Sequence, residues 1–189
     1  MKMANKVKYG LKNVHYAVIT EINGEITYDT PKLIPGAVNL TLSPRGERPD
    51  FYADDMLYYT ASTNDGYEGD LEVALFPDEF KKDVLGYKED ANGVLFEDAN
   101  AIPKNFALLF EFSGDKNAVR HVLYNVSPSR PNLQSATKTN TVEPQTETMS
   151  IVASPAPDTG MVKAKVEPEQ AQYNTWYQQV YTYVDPVEE

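Results

Sequence analysis

The chain contains no cysteine, which excludes a disulfide framework, a thiolate nucleophile and any cysteine-ligated metal. It has no run approaching the ~18 consecutive apolar residues of a membrane-spanning helix. Its first residues, MKMANKVKYGLKN, lack the apolar stretch of a secretory signal, so a protein made and kept in a cytoplasm is expected. Histidine is nearly absent. His15 and His121 both fall within runs that read as strands, and neither has a partner nearby in sequence, so a place on a sheet face is expected rather than a metal or general-base role. A GxxxxGK[ST] phosphate loop, a GxSxG elbow, an HExxH pair and a calcium-loop pattern are all missing. Positive charge is scarce as well: 28 acidic residues stand against 17 basic ones, for a formal net charge of -11, the opposite of a surface that wraps nucleic acid. Acidic residues also confer solubility, so the charge alone names no function.

What the chain does have is alternation with a period of two. In AVNLTLS, Val38, Leu40 and Leu42 share one face of a strand; in DLEVALF, Leu71, Val73 and Leu75 do the same. FALLFEFSGDKNAVRHVLYNVS puts Phe106, Leu108, Phe110 and Phe112 on one face, turns through Gly114, Asp115, Lys116 and Asn117, and resumes with Val122, Tyr124 and Val126, which predicts a long hairpin. Asn23-Gly24 and Asn92-Gly93 supply the positive φ of two-residue hairpin turns, joining VHYAVITEI to EITYDT and YKEDA to VLFEDA. TETMSIVAS and MVKAKVE add two more alternating runs on either side of PAPDTG. At 189 residues this composes a single, mainly antiparallel β domain spanning 1–189.

Two segments break the alternation. In LFPDEFKKDVLGYK, Pro77, Asp78 and Glu79 suit a helix start, Phe80, Val84 and Leu85 share a face, and Gly86 can stop it, predicting a helix of about three turns. In PEQAQYNTWYQQVYTY, Tyr173, Trp176, Tyr177, Val180 and Tyr181 form a helical stripe suited to core packing, although the same aromatics also suit a strand. Two further stretches read as extended excursions: SPRGERPDFYADDMLYYTASTNDGYEGD over 43–70, too long for a turn, and the proline-bearing connection SPSRPNLQSATKTNTVEPQ over 127–145. Asp54 and Asp55 are adjacent, and adjacent residues of an extended segment point in opposite directions, so they make a poor acid/base pair. A hydrolase using a Glu/Asp pair ranks last among the readings, because no closely spaced constellation is evident.

The segments KYGLKNVHYAVIT, LSPRGERPDFYADDMLYY, GYEGDLEVALFPDEFKKDVLG, FALLFEFSGDKNAVRHVLYNVSPSRPN, VEPQTETMSIVASP and WYQQVY, in this order over nearly the whole chain, resemble the major tail tube proteins of long-tailed bacteriophages of Gram-positive hosts. The resemblance implies a structural protein with no cofactor. Its fold would be a β-sandwich with one or two flanking helices, whose inner sheet continues between subunits of stacked hexameric rings. It also implies the partners: further copies of itself, a tape-measure protein in the lumen, and tail tip and tail terminator proteins. DNA would pass through without specific binding, no membrane would be involved, and assembly in the host cytoplasm would lead to the virion tail.

In this family a long loop reaches a neighbouring subunit, and 43–70 occupies that place. Tyr52, Tyr58, Tyr59 and Tyr67 then offer rigid contact area, while Arg45, Arg48, Asp54 and Asp55 can form intersubunit ion pairs. MKMANKVKYGLK and VDPVEE are further candidate arms. The alternative is a monomeric carbohydrate- or protein-binding module with Tyr58, Tyr59, Tyr67 and Trp176 as an aromatic platform.

Overall fold

The computed structural model describes residues 5–22, 25–114, 116–137 and 144–185. In chain order the elements are β1 (Leu11–Ile22), β2 (Glu25–Tyr28), β3 (Lys32–Leu33), β4 (Ala37–Arg45), β5 (Asp50–Ala53), β6 (Met56–Thr60), β7 (Gly66–Val73), α1 (Asp78–Asp83), β8 (Lys88–Glu89) and β9 (Leu95–Phe96). They continue with β10 (Phe106–Phe112), β11 (Val119–Pro128), β12 (Glu147–Ser154), β13 (Lys163–Val166) and a 3-10 helix, Ala171–Thr175. The main sheet runs β2-β1-β10-β11-β12-β7-β4, with β3 added to β1 and β13 to β11. All its pairings are antiparallel.

β11 divides this sheet into two layers. Its first half, Arg120 to Leu123, pairs with β13, and its second half, Asn125 to Pro128, pairs with β12. Val14, Tyr16 and Val18 of β1 and Phe106, Leu108 and Phe110 of β10 meet Leu71 and Val73 of β7, Met149 and Ile151 of β12, and Phe80 of α1 in one core, the filling of a β-sandwich. A second cluster covers the opposite face of β1, β10 and β11: Ala17, Leu109, Val122 and Tyr124 pack under Val166 and Trp176, with Tyr173 and Tyr177 at its margin. β10 is therefore buried on both faces, which is why FALLF is apolar without interruption. Burying each side chain of this size contributes about 2 kcal/mol.

Glycine lets β7 fit between its neighbours. A Cβ on Gly66 would lie 1.8 Å from the carbonyl oxygen of Ala153 in β12, and one on Gly69 would lie 1.8 Å from that of Thr41 in β4.

Several expectations need correction. Val38 does not share the buried face with Leu40 and Leu42: the β4/β7 register shifts between Ala37 and Asn39, and this bulge leaves Val38 exposed. Leu75 is exposed too, because β7 ends at Val73 and Phe76 enters the core instead. Val126 leaves the face of Val122 and Tyr124 for the main core, because a register shift between Phe106 and Leu108 places an extra residue of β11 there. The helix predicted at three turns is one of six residues, Asp78 to Asp83. It is closed early by Gly86 in the left-handed region at φ +77, after which the Tyr87 amide turns back to donate to Lys81 O at 3.1 Å. Of the aromatic stripe at the C-terminus, Trp176 is buried and Tyr173, Tyr177 and Val180 pack against its cluster, while Tyr181 is exposed; no continuous helix carries them, since the 3-10 helix ends at Thr175 and holds only Tyr173.

The β1–β2 hairpin forms, Ile22 pairing with Glu25, while Asn23 and Gly24 lie outside the described residues. β8 and β9 pair, but not through the expected two-residue turn: the Asp90 amide donates to Val94 O and the Gly93 amide to Asp90 O, both at 3.0 Å, leaving a three-residue loop in which Gly93 and not Asn92 takes positive φ, +80, and the Asp90 carboxylate accepts from the Asn92 and Val94 amides at 2.9 Å each. Asp115, the second residue of the predicted β10–β11 turn, is outside the described residues, as are 1–4 of the N-terminal segment, 138–143 of the 127–145 connection and 186–189 of the C-terminal one.

Candidate subunit interface

Pairing does not stop where β4 and β7 end. Beyond them the Asp65 amide donates to Arg45 O at 3.0 Å, Thr63 to Glu47 O at 2.9 Å and Ala61 to Pro49 O at 3.4 Å, and β5 then pairs with β6 from Asp50↔Thr60 to Ala53↔Met56. The span 43–70 thus holds the ends of β4 and β7 and, between them, a two-stranded arm reaching about 30 Å from its base at ~3.3 Å per residue. The chain can approach itself this closely at the base because residue 46 is glycine: a Cβ there would lie 2.2 Å from Thr63 O.

The tip is Asp54-Asp55, both at positive φ, 52° and 58°, as a two-residue hairpin turn of the I′ type requires. The two carboxylates therefore occupy a tight turn and not, as their sequence neighbours suggested, an extended segment. Phe51, Tyr52, Met56, Leu57, Tyr58 and Tyr59 are all exposed, Tyr58 at 71%. Phe51 and Tyr58 meet edge-on with centroids 6.5 Å apart, and β5 and β6 pack chiefly on each other. A lone two-stranded ribbon is marginal in water, and a contiguous exposed apolar surface of this kind marks a contact region.

The structure brings Tyr52, Tyr58, Tyr59, Asp54 and Asp55 together on this arm, with Arg48 along it. Arg45 stands at its base, its Nε 3.6 Å from a Glu68 carboxylate oxygen. Tyr67 belongs to the body instead: it lies on β7, half-buried, with Lys163 Nζ 2.6 Å from its hydroxyl and 4.4 Å from its ring centroid.

A second feature was not anticipated from the sequence. On β12, β7 and β4 the outward residues align in three cross-strand rows: Thr148, Glu72, Asn39; Ser150, Asp70, Thr41; and Val152, Glu68, Ser43. A carboxylate stands in the middle of every row, with neighbours along β7 separated by ~7 Å. Ser150 Oγ donates to Asp70 at 2.7 Å and Thr146 Oγ1 to Glu72 at 2.6 Å, which fixes both carboxylates without neutralising them. The signal was present as the period-two acidic run in YEGDLE, interleaved with the inward Gly69 and Leu71.

A family comparison places these features. The phage tail tube protein family matches residues 3–189. The chain belongs to the phage tail tube protein family. It is accordingly a structural virion protein of a bacteriophage tail, from a family that assembles into a tube and is not an enzyme class. Among curated proteins none matches it.

In this tail tube protein the remaining titratable clusters brace the fold. His15 stacks on Tyr177, centroids 4.4 Å apart, with its Nδ1 2.8 Å from Asn13 O, and burial lowers its pKa. His121 lies against Phe110 and Phe112, both at 5.3 Å, and its pKa is lowered to about 4, first by burial and then by Lys8, Lys163 and Lys165. His121, Phe112, Val119, Lys8 and Lys165 border a cleft of about 400 Å³ that contains no paired carboxylates for acid/base work. Buried Glu111 takes Arg120 Nε at 2.8 Å and Lys12 Nζ at 3.2 Å, and the Arg120 guanidinium lies over the Tyr173 ring at 3.7 Å, which ties the C-terminal segment to the sheet. Under α1, Asp83 accepts from Tyr16 Oη at 2.9 Å and pairs with Lys32 at 2.7 Å.

The platform imagined for a binding module is not assembled. Trp176 is buried on the body, Tyr67 is with Lys163, and Tyr58 and Tyr59 are on the arm. Among the described residues no group of three His, Asp or Glu side chains is placed to hold a metal ion.

Proposed function

We propose that copies of this chain form stacked hexameric rings, and that these rings make the tail tube of a long-tailed phage of a Gram-positive host. The tube would be assembled in the host cytoplasm around a tape-measure protein, between the tail tip and the terminator. The observation that carries this reading is the arm: a ribbon about 30 Å long, aromatic along its length, with no partner layer among the described residues of its own subunit. Tyr52, Tyr58 and Tyr59 supply large rigid contact area at low entropic cost, and Arg45, Arg48, Asp54 and Asp55 set its register by ion pairing. Tyr67 and Lys163 extend the contact at the arm's base. The row of Glu68, Asp70 and Glu72 faces the channel, where its carboxylates outnumber the one cation beside them among the described residues, Arg45, which is itself 3.6 Å from Glu68, and so leave the phosphates of passing DNA little on which to dwell.

Negative-stain electron microscopy of the purified chain in the micromolar range is the first test. Hollow tubes of uniform width, or stacked rings, are expected. Should the chain stay monomeric even when seeded with purified tail tips, the binding-module reading takes over. The double variant Tyr52→Ala/Tyr58→Ala is expected to remain folded, because both residues are exposed, and to lose tube growth; tubes of ordinary length from it would remove the arm from the assembly.

A further inference from the structure

The β8–β9 reversal brings together the two groups of a self-modifying chemistry. Asn92 is the one described asparagine that precedes glycine, and residues 88–94 are all exposed. Glycine leaves the backbone nitrogen of the pair unshielded: a Cβ on Gly93 would meet only Glu89 Oε1, at 3.7 Å. In such a pair the Gly93 nitrogen attacks the side-chain carbonyl carbon of Asn92. A C–N bond forms to Gly93, the C–N bond to the side-chain amide breaks, and ammonia leaves carrying the Gly93 amide proton, which gives a cyclic imide. Water then opens the ring at either carbonyl, to aspartate or to isoaspartate, and no reactant beyond solvent is needed.

The folded turn withholds both groups, and one residue does so. The Gly93 amide, which must lose its proton to attack, is engaged as a donor to Asp90 O at 3.0 Å. The Asn92 carboxamide is drawn back toward the same residue, its Nδ2 donating to Asp90 Oδ2 at 3.3 Å. Asp90 Oδ1 meanwhile takes the Asn92 and Val94 amides, which fixes the loop around them.

We propose that Asn92 is a site of spontaneous deamidation held in check by Asp90, and that opening of the β8–β9 hairpin releases it. The hairpin is short enough to open locally: Lys88 pairs with Phe96 and Glu89 with Leu95, and a two-stranded ribbon of this size is marginal in water. Conversion then opposes reclosure. Isoaspartate adds a methylene group to the backbone of a three-residue loop, so the amides no longer line up with Asp90, and either product sets a second carboxylate beside it. The mark accumulates, because a structural virion protein is not replaced once the particle is made. It also falls where β8–β9 is tied to the body, through Lys82 and Glu89 at 2.7 Å and through Arg130 and Glu97 at 3.2 Å.

The test ages the purified chain in warm, mildly alkaline buffer and follows residue 92 by peptide mass spectrometry. Fragmentation separates it from Asn23, and an isoaspartyl methyltransferase identifies the product. Conversion at residue 92 is expected to be at least about tenfold slower in the folded chain than in the same chain held in guanidinium chloride, since the reaction waits on local opening. Asp90→Ala is expected to bring the folded rate close to the unfolded one at an unchanged thermal midpoint, because Asp90 is exposed. Asp90→Ser, whose hydroxyl can still take the amide of residue 92, is expected to restore most of the protection. Asn92→Gln is expected to abolish the signal at that position. Equal rates in the folded and unfolded chain would overturn the proposal, as would an Asp90→Ala variant that converts no faster than the unmodified chain. A rise of the same size at every other asparagine of Asp90→Ala would overturn it too, since Asp90 would then be supporting the whole fold and not guarding Asn92.

Discussion

Tyr177 holds its ring between His15 and the Arg120 guanidinium, yet among the described residues its buried hydroxyl has no hydrogen-bond partner. Burial raises its pKa, with Glu111 adding to the shift, so the hydroxyl remains protonated and unsatisfied. Removing it costs no hydrogen bond and relieves a desolvated polar atom, so Tyr177→Phe is expected to stabilise the chain by about 1 kcal/mol, read as a higher urea midpoint at unchanged slope. His121 offers the complementary pH prediction. Its folded pKa of about 4 lies below the ~6.5 of an unfolded histidine. Between those values the unfolded chain holds more protons, so His121's contribution is complete above ~6.5 and declines as pH falls toward ~4. With partial solvent contact the loss is on the order of 1 kcal/mol. Replacing His121 by Phe keeps an aromatic ring against Phe110 and Phe112 and is expected to flatten that part of the stability curve, measured as thermal midpoints at pH 7 and pH 5.

At the scale of elements, β5 and β6 have few neighbours beyond one another, whereas β10 is enclosed on both faces. Amides between 47 and 63 in the free subunit are expected to exchange with solvent orders of magnitude faster than those of β10, and to become protected when tubes form. Hydrogen-exchange mass spectrometry on monomer and tube checks this, and equal exchange in both states would deny the arm a part in assembly. The same elements show what the sequence could and could not tell. Strands such as β12 were legible because a half-buried strand must alternate, and β8–β9 because a glycine follows Asn92, although the reversal takes three residues with Gly93 alone at positive φ. The arm read as a loop because its residues are uniformly exposed: with neither face buried, the hydrophobic alternation that announces a strand never develops. Val38 and Val126 were misplaced for a different reason. A bulge shifts the side chains after it to the other face, and its cause lies in the partner strand. The tyrosines of the candidate site were visible as composition, but the separation of Tyr67 from Tyr58 by the length of the arm follows only from pairing.

Across the whole molecule, charge and shape are arranged by direction. The net charge of -11 is not spread evenly: the arm's apolar rings run along its length, and the outward face of β12, β7 and β4 holds Glu68, Asp70 and Glu72. Three like charges along one strand repel, and the fold tolerates them because the Ser150 and Thr146 hydroxyls donate to Asp70 and Glu72 and Arg45 lies 3.6 Å from Glu68. If that face lines the channel, its sign matters to transport and not to folding. Replacing Glu68, Asp70 and Glu72 together by Lys is expected to leave subunit folding and tube width unchanged, since all three side chains lie on the uncovered side of the sheet. Phosphates would then meet lysines in every ring, and DNA would dwell where it previously slid, with a retention that weakens as salt rises. The measurement is the rate of triggered DNA release from particles carrying the variant tube at low and high ionic strength. A slowed release that recovers with salt supports the assignment of this face to the channel, whereas unchanged release from tubes of normal width and length would place the carboxylates on the outside of the tube.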